Sequence, residues 1–141
     1  PYRSGAEVVR SLVANETGSA FITVSTSLPF IREGKVRALA VASKAPVPAL
    51  PGVPTMAATL PGFEAQVWHG IVGPAGLPPG IVVEANRVFN AVIRQPEVRR
   101  VVEQVQAGEI VGGTPEQFAA FIRSEIERWV PVIRAAGIRA E

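Results

Sequence analysis

Val67-Trp68-His69-Gly70-Ile71-Val72-Gly73-Pro74-Ala75-Gly76-Leu77-Pro78-Pro79 is the stretch on which the fold reading turns. Val67, Trp68, Ile71 and Val72 carry the β-branched and aromatic content of a half-buried strand. Gly73-Pro74 stops that strand, and Gly76-Leu77-Pro78-Pro79 sets up the next element. A helix is expected from about Pro79 to Arg94, with Val82, Val83, Val88, Phe89, Val92 and Ile93 on its apolar faces, until Gln95-Pro96 interrupts it. Pro96 restarts a helix through Val98, Val101, Val102 and Val105, and Gly108 to Gly113 reads as a short strand with turns. Thr114-Pro115-Glu116-Gln117 then combines a capping hydroxyl, a proline at the first helical position and a Gln that completes a capping box. Phe118, Phe121, Ile122, Ile126, Trp129 and Ile133 recur at three-and-four spacing, so the last helix runs to about Ala136 with Gly137 as its C-terminal cap.

Upstream of that stretch, short helices alternate with short strands. Gly5 to Val13 reads as a helix with Val8, Val9 and Leu12 on one face, and Phe21 to Val24 as a strand. Ser27 to Glu33 reads as a short helix closed by Gly34, and Val36 to Ala42 as a buried strand. Pro46, Pro48, Pro51 and Pro54 forbid regular structure after it, while Thr55 is placed to cap a helix of one or two turns ending near Leu60. Alternation of this kind argues for α/β architecture with a parallel sheet.

Composition removes several classes of function. The chain has 141 residues, enough to bury a core, with 48% hydrophobic and 18% charged residues, and its apolar runs are broken short of a membrane span. A formal net charge of +2, with basic residues scattered singly among Glu, argues against nucleic acid as a partner. Cysteine is absent, so disulfides, thiolate metal sites and cysteine nucleophiles are excluded. All 12 acidic residues are Glu and His69 is the single histidine, so no Ser-His-Asp triad can form. No metal-ligand spacing and no phosphate-binding loop occurs either, which leaves no cofactor and no catalytic group to assign.

What remains are groups suited to holding a ligand. Gly5-Ala6 follows Tyr2-Arg3-Ser4 and opens a helix, where backbone amides and the positive dipole end can hold an anion; Ser4 acting only as a cap is the plain alternative. Thr23, Ser25, Thr26 and Ser27 end an expected strand, which is where ligands bind in open α/β sheets, and ordinary turn chemistry fits them equally. Arg3 can pair with a second carboxylate or stay solvated. Trp68 can wall a cleft or sit in the core, and the aromatic stripe of the last helix reads as core.

Four motifs in order, Leu28-Pro29-Phe30-Ile31-Arg32-Glu33-Gly34-Lys35-Val36-Arg37-Ala38-Leu39-Ala40-Val41, Leu50-Pro51-Gly52-Val53-Pro54-Thr55, the Trp68 stretch and the Gly112-Gly113-Thr114-Pro115 start, resemble the Bug-type extracytoplasmic solute receptors of tripartite tricarboxylate transporters. The resemblance implies the two-lobed periplasmic-binding-protein type II fold and a chain roughly twice as long in the family, as expected of two domains. On it, residues 1–66 form most of the second lobe, and residues 67–141 cross the hinge and return to the first. It also implies a periplasmic protein, not an enzyme, that captures a small carboxylate and delivers it to membrane transporter subunits. Ser4, Gly5 and Ala6 match the segment that presents amides to a ligand carboxylate in that family, and Thr23, Ser25, Thr26 and Trp68 complete the expected site. Family members place an Asp near Ile22 or Thr23; without it a bound ammonium lacks a partner, which argues against an amino-acid ligand. An effector-sensing domain of the same fold and an enzyme using Glu64 or His69 are the competing readings. The apolar faces from Val82 to Ile93 and Phe118 to Ile133 further suggest self-association.

Overall fold

The computed structural model describes residues 2–138. Five α-helices lie along them: α1 (Gly5–Val13), α2 (Val24–Arg32), α3 (Pro79–Ile93), α4 (Pro96–Arg100) and α5 (Pro115–Ala135). A 3₁₀ turn, Met56–Ala58, lies between α2 and α3, and a π-helical turn, Val101–Val105, continues α4. The chain forms two compact units, Pro1–His69 with Pro96–Ile110, and Gly70–Gln95 with Val111–Glu141.

In the first unit, α1 and α2 pack together, and Val9 on the expected apolar face of α1 is wholly buried. Leu28 of α2 joins Val41 and Leu50 in the core, with Ile31, Val47 and Val53 packed around it. Each such side chain contributes about 1.5–3 kcal/mol by leaving water. Leu50 shows why the proline-rich loop is not idle: Leu50 N–H donates to the Val47 carbonyl at 2.9 Å and Val53 N–H to the Leu50 carbonyl at 3.2 Å, and these turns drive Leu50 inward.

Both helices stop by the same device. Asn15 at φ 58° follows α1, and Glu16 N–H reaches the Ser11 carbonyl at 3.0 Å while Asn15 N–H reaches Leu12 at 3.1 Å. Gly34 at φ 71° follows α2, with Lys35 N–H on the Phe30 carbonyl at 2.9 Å and Gly34 N–H on Ile31 at 3.0 Å. These are Schellman closures, which take up carbonyls the helix itself leaves over.

Several expected elements differ. α2 begins at Val24, three residues before the expected Ser27, because the Thr23 carbonyl accepts both Thr26 N–H and Ser27 N–H at 3.2 Å; Pro29 therefore falls inside the helix. That start replaces the strand expected over Phe21 to Val24. Among the described residues the pairing expected for Val36 to Ala42 shrinks to one parallel bridge between Val41 and Thr55, and only Val41 of that stretch is buried. The Trp68 stretch is extended but joins no ladder among them, and Val72 is 78% exposed rather than half-buried. Alternation and β-branching favour a pleated backbone, but a strand exists only where a neighbour answers its N–H and C=O groups. Gly108 to Gly113 is not a strand for a different reason: Gly112 and Gly113 adopt φ 66° and 117°, outside the pleated region.

In the second unit, α3 packs on α5. Asn90 of α3 grips the Gly113 backbone twice, accepting its N–H at 3.1 Å and donating to its carbonyl at 2.9 Å, and Asn86 donates to the same carbonyl at 3.0 Å. The start of α5 is the capping box read from the sequence: Gln117 N–H donates to the Thr114 hydroxyl at 3.2 Å and Thr114 N–H to the Gln117 side chain at 2.8 Å. α5 closes on Gly137 at φ 65°, with Ile138 N–H on the Ile133 carbonyl at 3.2 Å.

Gly70 has a role that the strand reading missed. A Cβ there would stand 2.0 Å from Cζ of Phe118, whose ring stacks on Phe121 at 6.5 Å. The whole edge of the ring would have to swing away, so Gly70→Ala is expected to destabilise this unit by roughly 1–3 kcal/mol. Urea unfolding checks it, and in a double-mutant cycle the loss should vanish on a Phe118→Ala background.

The same unit carries a pH signature. Donation by the Thr114 hydroxyl, and then by the Glu116 backbone amide, holds the Glu116 carboxyl below its ordinary value of 4.5. The folded state therefore favours the ionised form: the contribution is complete above the unfolded value and is lost as pH falls through the lower, folded one. Glu116→Gln should narrow its stability gap to the parent as urea titrations move from about pH 7 to below about pH 4.

Candidate functional site

The candidate site grows from donor groups that the first two helices cannot use. The first N–H groups of an α-helix have no carbonyl within it. In α1, the Ser4 hydroxyl accepts Glu7 N–H at 3.3 Å, and Val8 N–H returns to the Ser4 carbonyl at 3.3 Å. That arrangement leaves the Gly5 and Ala6 amides for an external acceptor. Ser4 itself is extended at φ −153° and ψ 157°, as an N-cap requires. The Glu7 carboxylate takes Arg3 N–H at 2.8 Å, a capping box displaced by one residue.

α2 starts more openly. Thr23 occupies the N-cap position at φ −63° and ψ 142° but its side chain bonds no amide of the first turn. Its hydroxyl instead pairs with the Thr26 hydroxyl at 2.9 Å and accepts from the Ser25 hydroxyl at 3.3 Å. Ser27 donates to the Thr23 carbonyl at 3.2 Å, which steadies the turn from behind. The Val24 and Ser25 amides are left as those of Gly5 and Ala6 are.

The two starts meet. A Cβ added to Gly5 would lie 3.4 Å from Thr26 Cγ2 and 3.6 Å from Thr26 Oγ1, so the first residue of α1 rests directly on the first turn of α2. Ser4, Gly5, Thr23, Ser25 and Thr26 thus form one polar cluster in the first unit, with Ala6 one residue further along α1. Two helix dipoles begin here, each able to stabilise an anion by about 0.3–1 kcal/mol. Trp68 lies on the extended segment after Ala65 and is 42% exposed. Among the described residues no group of three or more His, Asp or Glu is placed to hold a metal ion. No helix there is long and apolar enough to cross a membrane.

Two open hollows lie elsewhere. One of about 350 Å³ is lined by Tyr2, Glu7, Arg10, Ser11, Ala14 and Glu16. The other, about 500 Å³, is in the second unit between Leu77, Val82, Val83, Asn86 and the start of α5. On the solvent face of α3, Arg87 donates to Glu84 at 2.6 Å and 2.8 Å and so lowers that carboxyl, a surface pair with no ligand chemistry.

Sequence reasoning had named the residue types at the cluster but not the contact between Gly5 and Thr26. It also passed over Glu7, although Ser4-x-x-Glu7 is the spacing of a capping box.

Residues 1–138 match the family described as tripartite tricarboxylate transporter family receptor. A UPF0065 protein from the clcB-clcD intergenic region of Pseudomonas knackmussii is 33% identical over 94% of this chain and 79% of its own. A second, from the tcbD-tcbE intergenic region of a Pseudomonas species, is 38% identical over 94% of this chain and 40% of its own. Protein BugT of Bordetella pertussis is 32% identical over 99% of this chain and 43% of its own. Among solved structures, R. palustris Rpa4515 with adipate has a TM-score of 0.83 at 29% identity, covering 98% of this chain and 46% of that one. The chain therefore spans under half the length of BugT and of Rpa4515. The shared chain path supports the α/β, periplasmic-binding-protein type II class despite the sparse pairing described above.

Proposed function

The chain belongs to the tripartite tricarboxylate transporter receptor family, and from that premise we propose that it is the carboxylate-gripping part of a periplasmic receptor that passes its solute to membrane transporter subunits. The role is capture without chemistry. The observation that carries the reading is the contact between the amide-bearing starts of α1 and α2 at Gly5 and Thr26. A carboxylate accepting from several backbone N–H groups gains charge-assisted hydrogen bonds from donors already ordered, so little reorganisation opposes binding.

The ligand class we propose is a flexible dicarboxylate without an ammonium group. Rpa4515 was solved with adipate, which is such a molecule. Here the hydroxyls of Thr23, Ser25 and Thr26 surround the cluster, and the Glu7 carboxylate is already engaged by Arg3 N–H. An ammonium would enter with no ionised partner assigned to it. In this proposal Gly5 and Ala6 hold one carboxylate, the Thr23, Ser25 and Thr26 hydroxyls orient it, and Trp68 offers apolar surface to the methylene chain. Residues 1–66 act as most of one lobe, with Pro96–Ile110 grouped beside them, while the remainder of residues 67–141 passes the hinge and returns to the other.

Titrating adipate into the ¹⁵N-labelled chain should shift the Gly5, Ala6, Val24 and Ser25 amide resonances, whereas glycine, alanine and glutamate should not. Ser4→Ala should weaken adipate by about 1 kcal/mol, one neutral hydrogen bond, because it loosens the first turn. Gly5→Val should weaken the response more than Ser4→Ala, since a Cβ there already touches Thr26 at 3.4 Å and the branched methyl groups extend beyond it. Shifts produced only by amino acids, or equal and negligible effects of both substitutions, would reject this assignment.

A further inference from the structure

Tyr2, Ser11 and Thr17 bring their hydroxyls together beside α1. Tyr2 Oη lies 2.5 Å from Ser11 Oγ and 2.7 Å from Thr17 Oγ1, and the Ser11 and Thr17 hydroxyls are bonded to each other. Each hydroxyl has one proton to donate and lone pairs to accept with, so a ring of three closes in either direction with every proton used. Such chains polarise one another and act together. Ser11 is only 3% exposed, so solvent cannot readily replace these partners. Its carbonyl also receives Glu16 N–H at 3.0 Å and Thr17 N–H at 3.4 Å. The closure of α1 is therefore what carries Thr17 back to the ring.

The ring reaches the opposite end of the helix through Tyr2, which stands two residues before Ser4. Arg3 between them is tied separately, its N–H on the Glu7 carboxylate at 2.8 Å. Residues 2–4 are thus held by a side chain at one point and by the backbone at the next, and Ser4 meets α1 in the extended conformation that its cap needs. We infer that Tyr2, Ser11 and Thr17 are positioning residues: their hydroxyl ring fixes the path of residues 2–4 and so aims the Gly5 and Ala6 amides. This rests on the proposed role of those amides, but the order it imposes is present without ligand. A turn ordered beforehand loses no further conformational entropy when a carboxylate arrives.

Thr17→Val keeps the shape and removes one hydroxyl, Tyr2→Phe removes another, and Thr17→Ser keeps it. In ¹⁵N relaxation of the ligand-free chain, Thr17→Val and Tyr2→Phe should lower backbone order at residues 3–6, with Thr17→Ser matching the parent. In adipate titrations the first two should bind roughly three- to tenfold more weakly, the range for one hydrogen bond, and Thr17→Ser should restore affinity. A merely structural ring would lower the melting temperature and leave both readouts in place, and unchanged order in Thr17→Val and Tyr2→Phe overturns the inference. Adipate failing to shift Gly5 and Ala6 in the parent chain rejects the binding proposal alone, because the ligand-free measurement still decides the ring.

Discussion

Backbone hydrogen-bond satisfaction at helix ends is the constraint on which this chain is built. In helices as short as α1 and α2, the groups left over at the two ends are a large share of the whole. The C-terminal carbonyls are dealt with alike in α1, α2 and α5, by a left-handed residue and two returning amides. The N-terminal amides are not. α5 answers its own through a complete capping box, α1 answers part of its set through Ser4, and α2 has no side chain on its first amides. That graded satisfaction leaves the first amides of α1 and α2 less completely answered than those of α5.

Helix boundaries were legible because caps are local chemistry. Gly5 to Val13 was read to the residue, and Thr114-Pro115, Gly34 and Gly137 all act as the sequence pattern says. The sequence reading starts α2 at Ser27, after a strand over Phe21 to Val24, whereas the Thr23 carbonyl turns the chain at Val24. The strand readings failed for a non-local reason. Val67 to Val72 has the composition of a strand, but composition does not supply a neighbour, and Val41 with Thr55 makes the single parallel bridge among the described residues.

The candidate site was legible as residue types and hidden as an arrangement. Ser4-Gly5-Ala6 is visible in the sequence as a helix start, and Thr23, Ser25 and Thr26 as a hydroxyl cluster. That Gly5 touches Thr26 depends on how α1 packs on α2, across residues with no pattern of their own. Tyr2, Ser11 and Thr17 were hidden for the same reason. Each is an ordinary polar residue until the turn at Asn15 doubles the chain back on itself.

The grip of Asn90 on Gly113 bears on how this protein can change over time. One side-chain amide reads both the N–H and the C=O of a single loop residue, so it recognises a particular position in the chain much as a ladder partner would. Surface connections ordinarily tolerate insertions and deletions. Here a gain or loss of one residue between Gly113 and the start of α5 would bring a different peptide unit opposite Asn90 and leave Gly113, with its φ of 117°, one place out of step. A length change at that point therefore breaks the grip, and the proline-rich run from Pro46 to Pro54 is tied in its own way, by Leu50 in the core and by the Pro54 carbonyl on Val41 N–H.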